Sequence, residues 1–319
     1  MTDIATRQLG TGGPEVSVVG LGCNNFGRTG SLTETQEGTT AVLDAAIELG
    51  VTLLDTADIY GGPDGTSETL MGVALKGKRD RVVLATKFGH DGVDVGILPG
   101  TPKGSRAYIR EAIHASLRRL QTDYVDLYQQ HVPDPATPIE ETLGALDELV
   151  TEGKVLHIGC TQFAAEQLRA ADAAALALGT ARFISAQSEY SLLVRDVEGD
   201  VLPTVIDLGL GFLPFFPLYN GLLTGKFTRT ERPADSRIAM QRPHVADDAP
   251  WEVIDRYAAW CADSGVTMLQ ATFGWLLAQP GLTSVIAGTT RPAQLVQNVE
   301  AARWQPTARQ VSEISEIFG

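Results

Sequence analysis

Leu53-Leu54-Asp55-Thr56-Ala57-Asp58-Ile59-Tyr60-Gly61 is the stretch on which the reading of this chain turns. The apolar run Val51 to Leu54 predicts a short strand buried on both faces, as in a parallel sheet. A carboxylate stands directly on its end, and a phenol follows five residues later, just before Gly61-Gly62-Pro63. A charge in that position is costly to desolvate and requires a partner close by.

Outward from this strand the same alternation repeats without a fixed period. Toward the N-terminus, residues 7 to 18 have the alternating, Gly-rich pattern of a hairpin turning at Thr11-Gly12-Gly13-Pro14. Val16 to Gly22 reads as a first buried strand, and a helix over about 34 to 49, capped by Thr33 or Thr35, leads into the Asp55 strand. Toward the C-terminus, strands are expected at Arg81 to Thr86, Tyr124 to Gln129, Val155 to Gly159, Phe183 to Ala186, Gly211 to Phe216 and Ser284 to Ala287. Amphipathic helices are expected between them at about 67 to 76, 105 to 120, Pro138 to Glu152, 163 to 178, 197 to 208, 250 to 263 and 267 to 278. Pro292 opens a further helix and 307 to 317 a last one. Eight short apolar strands alternating with helices predict an α/β fold, a (β/α)₈ TIM barrel with an N-terminal β-hairpin. Gly89 to Gly104 and Pro217 to Asp248 are long βα loops, and on a barrel both lie on the face that carries active sites.

The 319 residues, 44% of them hydrophobic, suffice for one large core, and no linker divides them, so residues 1 to 319 are read as a single domain. A formal charge of -14 argues against nucleic acid or anionic membranes as partners. The three cysteines, Cys23, Cys160 and Cys261, form no CxxC pair and suit a reducing cytosol. Met1-Thr2-Asp3 begins no leader peptide and no apolar run approaches a membrane span, so a cytoplasmic protein is expected. The sequence leaves the oligomeric state open.

The decisive pattern is the residue standing at the end of each apolar run: Asp55 after the second, Lys87 after the third, His131 after the fourth, Gln187 after the sixth. In a parallel barrel these positions converge on one mouth, with Tyr60 folding back from the loop after Asp55. Lys87 is thus the expected partner of Asp55. No His-x-His on a strand accompanies them, so no metal is expected. His114 falls mid-helix and His90 and His244 in loops, while His157 falls in a strand, where a core or lining role is expected for it.

Leu54 to Gly61, Ala85-Thr86-Lys87-Phe88-Gly89, Asp126 to His131, Ser188 to Leu192, Pro217-Leu218 with Gly221 to Lys226, and Ala287-Gly288 through Asn298 resemble the signature segments of the aldo-keto reductases. The likeness runs from about residue 7 to 302. It implies a carbonyl reductase using NADPH, with NAD possible, acting on a small-molecule aldehyde or ketone. Asp55, Tyr60, Lys87 and His131 would be its catalytic tetrad. The chemistry is consistent: an ordinary Tyr titrates near 10, and a cation about 4 Å away is worth about 4 kcal/mol at an effective dielectric near 20. Lys87 is therefore expected to bring the Tyr60 phenol down toward neutrality.

No strand-GxGxxG-helix is present, so a Rossmann cofactor site is not available. The resemblance instead implies that Thr161, Gln162 and Gln187 hold the carboxamide, Phe215 stacks on the nicotinamide, and Phe216, Pro217, Leu218 and Gly221 run along the pyrophosphate. Gly288, Thr290, Gln294, Gln297 and Asn298 would surround the adenosine phosphate, with Lys226, Arg237 and Arg291 supplying positive charge. Family members commonly have Ser-Asn at 161–162, a small hydroxyl residue at 216 and Arg at 294, so these three positions depart from the pattern. Asn24, Phe26, Phe88 and Tyr128 are the expected substrate-pocket residues. Two alternatives share the barrel and the four residues: a cofactor-binding sensor or regulatory subunit resembling potassium-channel β-subunits, and an NAD-preferring sugar dehydrogenase.

Overall fold

A computed structural model describes residues 4–62, 64–234 and 236–319. Met1-Thr2-Asp3, read above for a leader, and Pro63 of the turn after Tyr60 lie outside the described residues. Strands β1 (Thr6–Gln8) and β2 (Glu15–Ser17) form the antiparallel hairpin. Strands β3 (Val19–Gly22), β4 (Leu53–Asp55), β5 (Val83–Phe88), β6 (Val125–Gln130), β7 (Val155–Thr161), β8 (Phe183–Glu189), β9 (Gly211–Phe215) and β10 (Val285–Gly288) form one parallel sheet in the order β10-β3-β4-β5-β6-β7-β8-β9. The Phe212–Leu282 bridge, with the Thr283 amide donating to the Phe212 carbonyl, draws the two edges together. The architecture is a (β/α)₈ barrel behind an N-terminal hairpin.

Helices α1 (Gln36–Glu48), α2 (Thr66–Ala74), α3 (Arg106–Leu120), α4 (Ile139–Thr151), α5 (Ala165–Leu178) and α6 (Val201–Asp207) cover the strands in turn. They are followed by α7 (Arg237–Gln241), α8 (Pro243–Asp247), α9 (Trp251–Asp263), α10 (Met268–Leu277), α11 (Pro292–Ala301) and α12 (Ala308–Phe318). Their starts are chemically marked: the Thr35 hydroxyl accepts from the Gly38 amide at 3.1 Å, and Ser105 caps α3 in the same way. None of them is long and apolar enough to cross a membrane, among the described residues.

Two apolar layers follow from strand alternation. Leu53, Ala85, Leu127, Leu213 and Ile286 point inward, and Leu9 and Val16 of the hairpin close the barrel floor beneath them. Arg7 fastens that plug by donating to the carbonyls of Leu282 and Leu277 at 2.6 and 2.8 Å. The outward-facing residues pack between sheet and helices in one larger core. With the floor closed, the open end is the C-terminal one, where Asp55, Lys87 and Gln187 stand.

The structure departs from the sequence reading in three places. The expected strand Val16 to Gly22 is divided, its first residues pairing with β1 and the rest with β4 and β10. Lys87 and Gln187 lie inside β5 and β8 rather than after them, since pairing continues to Phe88–Gln130 and Glu189–Phe215. Polar side chains at these positions point into the mouth and do not end the strand. Finally, the long segment from Pro217 to Asp248 is not mere loop: it holds a 3₁₀ turn over Tyr219–Thr224 and the short helices α7 and α8.

Candidate active site

Asp55 ends β4 with its side chain toward the barrel axis, and the inward-facing Lys87 of neighbouring β5 meets it. The Lys87 Nζ donates to Asp55 Oδ2 at 2.7 Å, to the Thr56 carbonyl at 2.9 Å and to the Tyr60 hydroxyl at 3.3 Å. An ammonium has three protons, so all its donors are engaged. The second carboxylate oxygen, Asp55 Oδ1, accepts from the amides of Gln129 and Gln187, each at 3.2 Å. Asp55 and Lys87 are 2% and 0% exposed, a burial that only such full pairing makes tolerable. Burial acts to lower the Lys87 ammonium, but Asp55 and Tyr60 more than offset it, leaving it above its ordinary value and firmly charged.

Tyr60 reaches Lys87 because the chain turns sharply after it. Gly61 has φ of +78°, and a Cβ there would stand 2.7 Å from the Phe26 carbonyl and 2.9 Å from the Ser67 amide. Since the Tyr60 oxygen accepts from Lys87, its own proton is directed elsewhere. The expected acidification of Tyr60 is not what the structure gives. Burial pushes the phenol up by more than Lys87 pulls it down, and Asp55 adds to the rise.

His131 follows β6, its ring edge-on to Tyr60 with centroids 5.9 Å apart. Its amide donates to the Phe88 carbonyl at 2.8 Å. Its Nδ1 is buried with no partner. Burial, with help from Lys87 and His90, pushes the imidazole down to about 2, so it is neutral at any working pH. His90, which the sequence places only in a loop, stacks edge-on against His131 at 5.0 Å and belongs to the same mouth.

Around these four the remaining candidates divide. Phe215 and Phe216 pack edge-on at 5.4 Å, beside buried Pro217 and partly open Leu218 and Gly221. Phe216, Tyr219 and Asn220 all hold positive φ, of 50°, 45° and 58°, a strain that keeps this turn fixed. Arg237 lies over the Phe216 ring, with the guanidinium carbon 5.3 Å from its centroid. Gly288 is exposed at the end of β10, Gln297 is exposed on α11, and Asn298 is buried. Lys226 is exposed beyond the 3₁₀ turn.

Thr161 and Gln162 are both turned to one atom: their side chains donate to the His131 carbonyl, Gln162 at 3.1 Å. Gln187 is likewise bound to Asp55. Gln294 folds back on Thr290, its Oε1 accepting from the Thr290 amide at 3.0 Å. Each of these four amides or hydroxyls thus stabilises the protein frame itself.

Three expected pocket residues are misplaced. Phe26, Phe88 and Tyr128 are fully buried in the core between barrel and helices, with the rings of Phe88 and Tyr128 stacked at 4.7 Å. The cause is strand alternation: Phe88 and Tyr128 flank the inward Lys87 and Gln129, so they face outward. Asn24 alone of that set remains partly open at the mouth. Conversely, Gln129 was given no role. Its place two residues beyond the inward Leu127 on a buried strand was the available signal.

Residues 18–318 match the model of the aldo/keto reductase family. A probable aldo-keto reductase from Glycine max is 34% identical over 315 residues, which cover 97% of this chain and 87% of that protein. The chain belongs to the aldo/keto reductase family. It is accordingly an oxidoreductase of carbonyl and alcohol groups that works with a nicotinamide cofactor.

Proposed function

We propose that the protein reduces an aldehyde or ketone with NADPH, with Tyr60 as general acid and Lys87, Asp55 and His131 as its supporting groups. The observation that carries this reading is the ammonium of Lys87, held by Asp55 and Thr56 and aimed at the Tyr60 oxygen 3.3 Å away. A proton donor must carry its proton at the start, and burial keeps the Tyr60 phenol protonated. Once the proton passes to the substrate oxygen, the phenolate left behind faces Lys87. That attraction, about 4 kcal/mol at an effective dielectric near 20, lowers the barrier without making resting Tyr60 acidic. Neutral His131, set beside Tyr60, orients the substrate oxygen by hydrogen bonding. Asn24 is the remaining candidate for the rest of the substrate.

The residues present fit a nicotinamide dinucleotide. Helix α11 begins without a side-chain cap from Arg291, and the nearby Thr289 hydroxyl is buried without a partner. Gly288, Thr290, Gln294, Gln297 and Asn298 would hold the adenosine phosphate there, with Lys226 supplying charge. Phe215, Phe216, Pro217, Leu218 and Gly221 would flank the remainder, with Thr161, Gln162 and Gln187 at the carboxamide end. When bound, the nicotinamide supplies the hydride. NADP in preference to NAD is favoured by the solvent-exposed ammonium of Lys226.

Steady NADPH oxidation over many turnovers on a panel of aldehydes and ketones is expected, and Tyr60→Phe should reduce kcat by about 10²- to 10⁴-fold with NADPH binding by fluorescence nearly unchanged. A single slow oxidation of bound cofactor would support the sensor alternative instead. Full activity in Tyr60→Phe would remove Tyr60 from the mechanism.

A further inference from the structure

A cleft of about 110 Å³ lies on the outer side of the barrel wall, where the loop after β6 meets the first turns of α4 and α5. Its walls are largely apolar, made by Pro133, Ile139, Phe163 and Ala170. Phe163 is held edge-on against Phe183, with ring centroids 5.8 Å apart, so this wall is preformed. Gln130, the last residue of β6, also lines the cleft. Alternation sends Gln129 into the barrel mouth, so Gln130 faces the other way, between sheet and helices. Gln130 is 2% exposed, and its Oε1 is buried with no partner among the described residues. An acceptor withdrawn from water in this way is costly until a donor meets it.

The other polar groups of the cleft are already engaged. The Thr142 hydroxyl donates to the Gly104 carbonyl and the Thr137 hydroxyl to Asp134 Oδ2, each at 2.8 Å. Gln167 Oε1 accepts from the Ala164 amide at 2.9 Å. Asp134 accepts further from the amides of Gly104 at 2.6 Å and Ala136 at 2.9 Å. Burial acts to raise the Asp134 carboxyl, but these bonds more than offset it and hold it below its ordinary value. A charged carboxylate in the wall turns anions away, and with its acceptor positions occupied it has little left to hold a cation. What the cleft lacks is one neutral donor on an apolar body. Water meets that need poorly: there is room for several molecules, each of which needs about two to four polar partners. An apolar cavity of about 150 Å³ takes one benzene ring, so this smaller but partly open cleft suits a single small ring.

We propose that the cleft is a second small-molecule site, separate from the mouth, which binds a neutral hydroxyl compound of about the size of phenol, its O–H donating to Gln130 Oε1 and its ring lying against Phe163 and Ile139. Such a site stands apart from the reductase reading and holds whether or not that reading does.

The test follows 4-fluorophenol and 4-fluorotoluene by fluorine NMR with the full chain, in the native protein and in Gln130→Leu. The two compounds share a shape and differ in the donor. Native protein should bind 4-fluorophenol with a Kd of about 1 mM, unchanged within about twofold by saturating NADPH. Gln130→Leu should lose about 10-fold on 4-fluorophenol while holding 4-fluorotoluene within about twofold. A structural role for Gln130 would weaken both compounds alike, and that result would overturn the proposal. So would undiminished 4-fluorophenol binding in the variant, displacement by NADPH, or no binding up to about 20 mM, which would leave the cleft to water only. If Gln130→Leu does not fold, crystals of the native protein with 4-bromophenol decide: anomalous bromine signal in the cleft supports the site, and signal elsewhere only, or none, overturns it.

Discussion

Asp55, at the end of β4, and Asp58, in the turn after it, stand three residues apart and are equally buried, at 2% and 1% exposure, yet burial has opposite meanings for them. Asp55 faces the barrel axis and finds an ammonium at 2.7 Å and two amides at 3.2 Å. Asp58 sits against the helical layer, where neither of its oxygens meets a side-chain donor and only the adjacent Ile59 amide is near. Its charged neighbour Arg119 is already engaged: it donates to Glu68, which also accepts from Thr86 at 2.6 Å. Burial, reinforced by the charge of Glu68, pushes the Asp58 carboxyl up to about 8. The hydroxyls of Tyr108 and Tyr128, in the same layer, are also unpartnered. A buried carboxylate is thus organising where its partners are complete, and pushed toward its neutral form where they are not. The chain keeps the complete set on the side where a substrate can reach it.

The most damaging way to break the contrast is Lys87→Met, which would make Asp55 resemble Asp58. The variant should lose about 3–5 kcal/mol of stability by urea denaturation, as a buried charge is left without its cation. Its kcat should fall by about 10²- to 10⁴-fold. Native-like stability would mean that Gln129 and Gln187 alone suffice for Asp55.

Next in size is the converse change, Asp58→Asn, which holds the outer position neutral at every pH. The folded-state value of Asp58, about 8, lies above that of an unfolded carboxyl near 4. The folded state therefore binds the proton more tightly, and the stability it gives is complete below about pH 4 and is lost as pH rises through 8. The native protein should accordingly lose ground to Asp58→Asn by about 2–4 kcal/mol between pH 5 and pH 8. Urea midpoints at both pH values check this, and parallel stability curves for the two proteins would show that Asp58 is charged in the fold after all.

The same two aspartates mark what the sequence makes legible. Short apolar runs ending in Asp55, Lys87 and His131 announce a barrel and its mouth, because the period and the placement of charge are both written locally. Which way a side chain faces depends on exact strand bounds, and these were short by two or three residues in β5, β7 and β8. That is why Phe88 was expected in the pocket; Tyr128 and Gln129 lay within the expected strand, where simple alternation from Leu127 separates them. The placing of Arg237 and Arg242 over the Phe216 ring lies further from view. It depends on how α7 folds back over Phe216, and no periodicity encodes the path of such a connection.

The finest test of the contrast is Tyr128→Phe. The Tyr128 ring is fully buried against Phe88, so deleting one oxygen leaves the packing intact and removes only a hydroxyl without a partner. A buried polar group in that condition carries a desolvation cost with nothing returned, so the variant should be equal to or up to about 1 kcal/mol more stable than the native protein. Deleting the Thr86 hydroxyl by Thr86→Val, which breaks a bond to Glu68, should by contrast destabilise. Opposite signs for two buried hydroxyls in one layer would show that partnering, and not burial, decides the sign. If Tyr128→Phe were instead destabilising by more than about 1 kcal/mol, its hydroxyl would have to be serving Asp58, and the outer carboxyl would be less isolated than its surroundings indicate.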